Sequence, residues 1–383
     1  ALAFSFPAFV GSMITRFVNA STMDGYNPYR ITQDGIDWEV EDPDDPWSYI
    51  GYWGDHQIVY LLKLLELSRR FYPDQLRGLL QERLFCYANV PYRIEPFSAL
   101  LQDPQQTISY DEELSQEIER RVAELGADGK LVLDDAGEVH LVTLAEKLLV
   151  PLLAKLGNLV VDGGIWLNTQ RPEWNDANNA LVGHGLSTVT LCYMRRYVAF
   201  LLELVAESGA SFALSQEVAR WLEECAAALA RLRPELGDEP VDPTVRYRAL
   251  ADLGEAASRY RAAVYRQEGF TSRADVAAED LRRLLEHSLA VIDHSIQANR
   301  RADGLFNSYN LMSLGDLSVE VETLYPMLEG QVAALSAGTI APREAARVLE
   351  TLFDSELYRP DQHSFLLYPD RELPSFLEKN RIP

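Results

Sequence analysis

The stretch Leu186–Glu207, LSTVTLCYMRRYVAFLLELVAE, is the most apolar long segment of the chain. Its apolar residues recur every three to four positions, which predicts a helix buried on most of its sides. Similar patterns lie on both sides of it, so the chain is predicted to be rich in helices. We predict further helices at Asp55–Tyr72, Ser115–Leu125, Leu144–Val160, Ser215–Arg233, Pro243–Gln267, Ser272–Asn299, Glu320–Ser336 and Ala341–Leu352, with a kink or restart at Pro151.

Signals for strands are few. The segment Gly129–Val142 contains two short alternating runs around Asp134–Gly137, which predicts a hairpin. The connections between the predicted helices are long, dissimilar and aromatic, unlike those of a helical solenoid. A four-helix bundle is too small for 383 residues. The pattern therefore favours a closed ring of paired helices, with loops at one end where functional sites tend to lie.

The charge of the chain limits its partners. There are 35 Lys and Arg against 58 Asp and Glu, a net charge of −23. Such a chain repels phosphate backbones and anionic lipid, so nucleic acid and membrane surfaces are poor candidates for its binding partner. A neutral sugar is compatible with this charge. The three cysteines, Cys86, Cys192 and Cys225, are widely spaced and predict neither a disulfide framework nor a metal cluster.

The first residues raise the question of processing. Ala1–Val10 is apolar enough for the core of a signal peptide, but it has no basic leader and contains Pro7. We interpret it as a buried element of the fold. No apolar run reaches the ~20 residues that a membrane span needs.

Aromatic and acidic residues are concentrated between Asn19 and Gln57. The segment contains Tyr26, Tyr29, Trp38, Trp47, Tyr49, Tyr52 and Trp53 among Asp24, Asp34, Asp37, Asp44, Asp45 and Asp55. Aromatic planes suit the C–H faces of a pyranose ring, and carboxylates and amides suit its hydroxyls. A long loop that wraps the core with its aromatic residues fits the composition equally well. We interpret the acidic run Glu41–Asp45 as solvated surface, because it lacks the ligand spacing of a calcium loop.

Two carboxylates flank a tryptophan in a second segment, Asp162–Gly185. The residues concerned are Glu173, Trp174, Asn175 and Asp176, followed closely by Asn178 and Asn179. A carboxyl beside an indole in a closed pocket has a raised pKa, so it can hold a proton at neutral pH and act as a general acid. A helix start capped by Asp176 is the structural alternative. A cap alone does not explain why Trp, Asn and two acids occur together, so we favour a functional site.

The sequence gives weaker evidence for several other candidate site residues. They are Asn307, Tyr309 and Asn310 as hydroxyl contacts, His363 and Ser364 as an oxyanion-holding pair, and His184, which we interpret as structural. The chain has no phosphate-binding GxxxxGK[ST] loop, no GxGxxG motif, no HExxH or CxxC motif and no GxSxG elbow. Of the chemistries considered, acid catalysis by carboxylates in a pocket with aromatic walls is the one that no missing motif excludes. Such catalysis is typical of enzymes that cleave glycosidic bonds.

Two of these segments are similar to a known family. Glu173-Trp174-Asn175-Asp176 resembles the D-W-N-D motif of glycoside hydrolase family 94, the inverting cellobiose and chitobiose phosphorylases. The segment Tyr49–Gln57 resembles the G-x-R-D-x-x-Q-D segment at the sugar site of that family, and Tyr26–Arg30 resembles its aromatic loop. The resemblance covers about Asn19 to Met194. It implies a mainly α (α/α)6 toroid, with the Gly129–Val142 hairpin as a small insertion.

The resemblance also implies a role for each matching residue. Asp176 would protonate the glycosidic oxygen while inorganic phosphate attacks the anomeric carbon from the opposite face, and Glu173 is the second catalytic candidate. The predicted substrate-binding residues are Tyr29, Arg30, Trp47, Trp53, Asp55, Gln57, Trp174, Asn175 and Asn178, with His363 and Ser364 for phosphate. Family members are larger, so residues 1–383 would be a single barrel domain from a longer chain, without the amino-terminal β-sandwich and the carboxyl-terminal region.

We therefore expect an enzyme that cleaves a β-linked oligosaccharide with inversion by phosphorolysis. Inverting hydrolysis by water and a second carboxylate is one alternative, with the two carboxyls about 6.5–9.5 Å apart. A non-catalytic ring that binds carbohydrate or a protein partner is the other. We expect no metal and no cofactor, with phosphate as a co-substrate only. Oligosaccharide is the expected partner, a homodimer is left open, and the expected compartment is the cytoplasm, with the periplasm as the alternative.

Overall fold

The computed structural model describes residues 2–27, 30–31, 36–45, 48, 50–54, 56–171, 180–371 and 374–379. Its helices within these ranges are α1 Leu2–Ser5, α2 Phe9–Asn19, α3 His56–Phe71, α4 Gln75–Leu79, α5 Phe97–Gln102, α6 Glu112–Leu125, α7 Leu144–Leu156, α8 Thr188–Ala206, α9 Gln216–Leu232, α10 Pro243–Gln267, α11 Ala278–Ala298, α12 Leu328–Ala337, α13 Pro342–Phe353 and α14 Phe376–Lys379. Two short 3₁₀ helices lie at Gly126–Lys130 and Arg233–Glu235.

The strands in the same ranges are mostly short. They are β1 Arg30–Ile31, β2 Ile36–Asp37, β3 Tyr52–Trp53, β4 Arg83–Phe85, β5 Tyr92–Ile94, β6 Ile108–Tyr110, β7 Val142–Thr143, β8 Leu159–Val160, β9 Gly164–Trp166, β10 Gln170–Arg171, β11 Gly185–Ser187, β12 Ser211–Ser215, β13 Arg273–Ala277, β14 Tyr309–Gly315, β15 Ser318–Thr323, β16 Tyr358–Arg359 and β17 Ser364–Phe365. Five of them form an antiparallel sheet in the order β15-β14-β11-β9-β8. The others pair in twos, and β3 pairs with β10 in parallel.

The prediction of a mainly α (α/α)6 toroid is wrong. The structure is 52% helical and 17% strand, and its five-stranded antiparallel sheet is curled, so the fold is mixed α/β. The predicted helix at Glu320–Ser336 begins as strand β15, where Val319 and Val321 alternate with the exposed Glu320 and Glu322. Strands β9 and β11 are three residues long and buried throughout, which is too short for any periodic signal.

Several helix predictions are confirmed, with corrected ends. The helix predicted at Pro243–Gln267 has those bounds, and the apolar segment Leu186–Glu207 contains α8. The capped start predicted at Ser272 is wrong, because Arg273–Ala277 is strand β13, paired with β12. In the predicted hairpin Gly129–Val142, Leu133 and Val139 form a single antiparallel bridge. The second alternating run ends at Val142, which begins strand β7. That strand pairs with β4 and not with the first run of the predicted hairpin.

The first ten residues are less buried than predicted. Phe4, Phe6 and Phe9 are 62%, 57% and 54% exposed, so the expectation of a buried element is wrong for them. Val10 is buried, and together with Ile14 and Val18 it forms the buried face of α2. Helix α2 therefore buries one stripe against α3 and leaves the aromatic residues at its start in solvent.

Helix α7 lies at the centre of the fold. All of its residues are buried, including three charged ones, and it continues through Pro151 without a restart. It contacts α3, α9 and α10, together with strands β4, β7 and β12. Its start is capped by Thr143, whose Oγ1 accepts the Glu146 amide at 3.3 Å. A helix enclosed on all sides must provide an internal partner for each polar side chain.

The charged residues near the start of α7 have such partners. The two carboxylate oxygens of Glu146 accept hydrogen bonds from the Tyr87 hydroxyl at 3.0 Å, the Ser215 hydroxyl at 2.9 Å and the Ser215 amide at 2.6 Å. The Lys147 ammonium donates to the Ser21 carbonyl at 3.1 Å and lies 3.5 Å from the centre of the Tyr87 ring. Burial lowers the pKa of Lys147 well below its ordinary value, because nearby charges only partly offset the loss of water.

A buried ion pair joins the five-stranded sheet to α10. The Arg246 guanidinium donates to Asp162 Oδ2 at 2.9 Å, and both side chains are only 6% exposed. Arg246 also donates to the carbonyls of Val161 at 2.9 Å and Val319 at 2.7 Å. Asp162 lies in the left-handed region with φ of 65°, and its Oδ1 is 2.9 Å from His294 Nε2. Burial alone would raise the pKa of Asp162, but the close His294 ring and the hydrogen bonds from Arg246 and the Val241 amide outweigh it and lower that pKa.

We predict that Asp162→Asn destabilises the protein by about 3–5 kcal/mol, because it leaves the buried guanidinium without its counter-charge. Asparagine is chosen because it tolerates the left-handed backbone. The measurement is the free energy of unfolding in urea at pH 7. The matched control is Asp252→Asn, which breaks the more exposed Arg231–Asp252 pair, and we expect it to lose less than ~1 kcal/mol. Equal losses in the two variants would contradict the prediction.

Candidate functional site

The two segments singled out from the sequence meet where β3 and β10 pair. Tyr52 is the partner of Gln170, and Trp53 is the partner of Arg171. Because the strands are parallel, their carboxyl ends leave the pair at the same edge. In the sequence, Asp55 comes two residues after Trp53, and Glu173 comes two residues after Arg171. We call this edge the β3–β10 junction.

Most of the predicted site residues lie outside the described residues. These are Tyr29, Trp47, Asp55, Glu173, Trp174, Asn175, Asp176 and Asn178. The backbone of Arg30 belongs to β1, and its side chain is outside the description. The structure therefore brings together the chain that leads into Asp55 and the chain that leads into Glu173. The predicted catalytic roles of Asp176 and Glu173 stay predictions.

Side chains hold the short parallel pair in place. The Tyr52 amide donates to the Thr169 carbonyl at 2.9 Å, and the Thr169 hydroxyl donates to the Tyr52 carbonyl at 2.8 Å. The Gln170 amide group donates to the Ile50 carbonyl at 3.2 Å and accepts from the Ile108 amide at 2.5 Å. Gln170 has φ of 61°, a strained backbone for a residue that is not glycine. Strain of this kind tends to accompany functional sites, where surrounding bonds impose it.

Gln57 lies beneath the junction rather than on its surface. Its side chain is fully buried, and its Nε2 donates to Asn27 Oδ1 at 3.0 Å and to the Trp53 carbonyl at 3.3 Å. Asn27 forms an antiparallel bridge with Trp53. The Gln57 amide therefore joins Asn27 to strand β3. Gln57 was predicted to bind the substrate, but its buried side chain makes these internal hydrogen bonds. Trp53 itself is half-buried.

Two crevices lie beside the junction, and Tyr26 and Thr169 line both of them. The first is also lined by Gly54, Lys155 and Thr190. The second is also lined by Asn158, Asn168, Phe97 and Arg261. Each crevice has a volume of only about 10 Å³, roughly the space of one water molecule. Aromatic, hydroxyl, amide and cationic side chains therefore lie close together behind the junction, in spaces that are too small for a sugar ring.

A line of amides and hydroxyls runs along the second crevice. Asn168 donates to Asn158 Oδ1 at 3.0 Å, and Asn158 donates to the Tyr26 hydroxyl oxygen at 3.0 Å. The Tyr26 ring stacks on Tyr52 with centroids 5.1 Å apart. Burial raises the pKa of Tyr26. The Tyr26 hydroxyl therefore keeps its proton at neutral pH and can donate a hydrogen bond.

Asp24 is a buried carboxylate behind Tyr52. Its Oδ1 accepts the Tyr265 hydroxyl at 2.5 Å, and its Oδ2 accepts the Tyr52 hydroxyl at 3.1 Å. Burial raises the pKa of Asp24, although the hydrogen bond from Tyr265 and the charges of Arg261 and Arg93 act in the opposite direction. The sequence presented Asp24 as one of several acids in an aromatic loop. Only the packing distinguishes it from the others.

Lys155 is a second residue that the sequence did not single out. It is 2% exposed, and its ammonium lies 4.7 Å from the centre of the Tyr26 ring. A lysine within a strongly apolar helix is an unusual choice at a buried position. That signal was present in the sequence, and it could have identified Lys155 as a candidate.

The remaining predicted residues lie elsewhere. His363 and Ser364 are exposed, in the β16–β17 hairpin, whose Phe365 ring packs 5.1 Å from Phe353 of α13. Asn310 is buried in the sheet, where it donates to the Gly163 carbonyl at 2.7 Å, and so is Tyr309, so neither is a surface contact for a sugar.

Two smaller interpretations can be compared with the structure. The His184 side chain is exposed, and only its backbone carbonyl accepts the Met312 amide, at 2.7 Å, so a structural role for the imidazole stays a prediction. The run Glu41–Asp45 is exposed throughout, which confirms the interpretation as solvated surface.

No protein-family model matches the chain, and no curated protein matches it at a significant level. Within the described ranges, His, Cys, Asp and Glu side chains form no group of three that could hold a metal ion. In the same part of the chain, every helix is too short or too polar to cross a membrane. Its function is therefore inferred from the motifs and from the geometry of the β3–β10 junction.

We predict that Asp24→Asn changes the pH dependence of stability. The raised pKa means that the Asp24 contribution is fully present below its unfolded value of about 3.9 and is lost as the pH rises through its folded value. The free energy of unfolding of Asp24→Asn, relative to the wild type, should therefore increase between pH 4 and pH 7. Urea titrations at several pH values measure this difference.

A second variant serves as the comparison. Tyr265→Phe keeps the Asp24 carboxylate but removes the hydrogen bond that holds its pKa down. We expect Tyr265→Phe to lose more stability than the wild type between pH 4 and pH 7. If Asp24→Asn and the wild type showed parallel pH profiles, the raised pKa of Asp24 would be refuted.

Proposed function

We propose that the chain is a carbohydrate-active enzyme that cleaves a β-linked oligosaccharide with inversion and transfers the glycosyl unit to inorganic phosphate. The observation that carries this proposal is the parallel pairing of β3 with β10. It makes neighbours of the chain that leads into Asp55 and the chain that leads into Glu173–Asp176. These are the two segments that resemble the sugar site and the acid motif of family 94 phosphorylases.

The proposed chemistry needs one proton donor and one nucleophile. Asp176 gives its proton to the glycosidic oxygen as the bond from that oxygen to the anomeric carbon breaks. A phosphate oxygen forms the new bond to the anomeric carbon from the opposite face, and the configuration inverts. The products are a sugar 1-phosphate and an oligosaccharide shortened by one unit. No second carboxylate is needed, because phosphate is itself the nucleophile.

The composition of the region behind the junction is compatible with a saccharide as the ligand. Tyr26, Asn158, Asn168 and Thr169 place an aromatic ring, hydroxyls and amides there, which are the groups that recognise sugars. With a net charge of −23, a neutral sugar is a better partner than nucleic acid.

The proposal includes the cytoplasm as the compartment. The three cysteines are buried and unbonded, and thiols persist where the surroundings are reducing. It includes no cofactor and no metal, and phosphate enters only as a substrate.

Whether phosphate or water accepts the glycosyl unit is tested by incubating the protein with β-linked oligosaccharides, with and without inorganic phosphate. We expect sugar 1-phosphate with inverted configuration to appear only when phosphate is present, as measured by NMR of the anomeric proton. Free reducing sugar formed without phosphate would instead identify an inverting hydrolase. Sugar binding without any product would point to a non-catalytic binding protein.

The general acid is tested by Asp176→Asn. We expect the rate to fall by at least ~10²-fold, the scale of general-acid catalysis, while the circular dichroism spectrum and the melting temperature stay close to those of the wild type. The matched control is Asp135→Asn, which alters an exposed carboxylate in the turn at residues 134–137 and should leave the rate unchanged. Near-normal turnover by Asp176→Asn would remove Asp176 from this role.

A further inference from the structure

A small pocket lies in the seam between α9 and α10 and shares no lining residue with the crevices at the junction. Its volume is about 100 Å³, roughly the share of three water molecules in the liquid. Glu217 and Trp221 line it from one face of α9, and Tyr260 lines it from α10. The small side chains of Ala256 and Ala263, on the same face of α10, leave the space between the helices. A ligand for this pocket must therefore be very small.

One wall of the pocket is a buried carboxylate, Glu217, which is only 9% exposed. Its Oε1 is held in place, because it accepts the Thr271 amide at 3.2 Å and the Thr271 hydroxyl at 2.5 Å. Its Oε2 is also buried, and within the described residues it has no hydrogen-bond partner. A buried carboxylate oxygen without a donor costs free energy. The pocket therefore favours a ligand that donates hydrogen bonds to this oxygen.

The aromatic wall favours an ammonium group as that donor. The rings of Trp221 and Tyr260 stack with centroids 4.2 Å apart, and both side chains are almost fully buried. An ammonium group gains from a carboxylate and from aromatic rings beside it. The indole Nε1 of Trp221 is likewise buried and without a partner in the described part of the chain. Because an indole nitrogen only donates, the same ligand should also carry an acceptor oxygen.

The arginines that line the pocket differ in whether their charge is neutralised. Arg259 donates to Glu224 Oε2 through two nitrogens, at 2.8 Å and 3.0 Å. Arg220 is exposed, and among the described residues it forms no ion pair and no hydrogen bond. The two arginines and the two glutamates of the pocket sum to zero. What stays unpaired is a negative oxygen inside the pocket and a positive group at its rim, and a small zwitterion complements both.

We infer that the pocket between α9 and α10 binds a small α-amino acid as its zwitterion. The ammonium group donates to Glu217 Oε2, and the carboxylate accepts from Trp221 Nε1 and from Arg220. The volume restricts the ligand to amino acids of the size of glycine, alanine or serine. This inference is independent of the proposed function, since the two sites share neither residues nor ligand.

The test measures binding to the full chain at pH 7 by calorimetry. The probes are glycine, L-alanine, L-serine and L-leucine, with ethylamine and propionate as partial ligands. We expect at least one of the three small amino acids to bind with a Kd of about 1 mM or less. Ethylamine and propionate each lack one charged contact, so they should bind at least about tenfold more weakly. L-Leucine should not bind, because its side chain exceeds the space between the helices.

Two pairs of variants locate the site. Glu217→Gln keeps the shape of the side chain but removes its charge, and should weaken amino-acid binding about tenfold or more. Its matched control is Glu223→Gln, at an exposed position on α9 that does not line the pocket. Ala263→Leu fills the pocket at a half-buried position and should abolish binding. Its control is Ala262→Leu, at the exposed neighbouring position. Both controls should bind like the wild type.

Each outcome decides the inference, whether or not the wild type cleaves oligosaccharides. If none of the small amino acids binds, the pocket holds water only and the inference is overturned. Binding that persists in both Glu217→Gln and Ala263→Leu places the amino acid elsewhere and overturns it as well. If ethylamine binds as tightly as L-alanine, the carboxylate contact with Trp221 and Arg220 is refuted, and with it the amino acid as the ligand. Should Glu217→Gln fail to fold, Ala263→Leu and its control give the same decision.

Discussion

The close contact between Gly25 and the buried helix α7 positions the polar groups that lie behind the candidate site. Gly25 has φ of +85°, and a Cβ there would lie 2.8 Å from the Val150 carbonyl and 3.1 Å from Pro151 Cα. Only glycine combines that backbone with that approach. The turn from Thr22 to Tyr26 therefore rests directly on α7. This contact places Ser21 where Lys147 donates to it and places Tyr26 beneath the Lys155 ammonium. The same turn positions Asp24 to accept the Tyr52 hydroxyl. Burial of one helix thus sets the positions of the polar groups behind the candidate site.

The site itself depends on side chains more than on the ladder of its strands. Two residues in each of β3 and β10 make a very short parallel pair, and isolated short pairs have little stability of their own. Thr169, Gln170 and Gln57 supply hydrogen bonds from their side chains to this part of the backbone. Because these donors and acceptors are buried, breaking one leaves its partner without water to replace it. The strained backbone of Gln170 is held by the same bonds. The two-residue pair that leads to this edge is therefore held by buried side-chain hydrogen bonds as well as by its own ladder.

The sequence was most informative where the chain forms long amphipathic or apolar helices. The bounds of Pro243–Gln267 and the presence of α8 followed from periodicity, since each turn repeats the same signal. The five-stranded sheet could not be predicted in this way. Strands β8, β9 and β11 are two or three residues long and buried throughout, and β11 pairs with β14 more than 100 residues further along the chain. The helix and loop pattern favoured a ring of helices, and the resemblance, which covered about half of the chain, implied the same fold. Neither carried information about strand pairing. Asp24 was missed for a related reason, since only its burial and partners distinguish it from the neighbouring acids, whereas Lys155 was visible in the sequence as a lysine within an apolar helical segment.

The buried ionisable groups around α7 also indicate why these polar residues lie in the core. Replacing a whole buried ion pair by apolar side chains of similar volume is often neutral or stabilising, so stability alone does not explain why Glu146 and Lys147 are in the core. Glu146 and Lys147 each join elements that are distant in sequence, since Glu146 holds the start of α9 through Ser215 and Lys147 holds the turn before Asp24 through Ser21. Lys155 differs because it also lines a crevice beside the junction. Two of the three charges therefore fix the relative position of elements, which an apolar core would leave less specific. Lys155 instead lies against the Tyr26 ring, behind the junction.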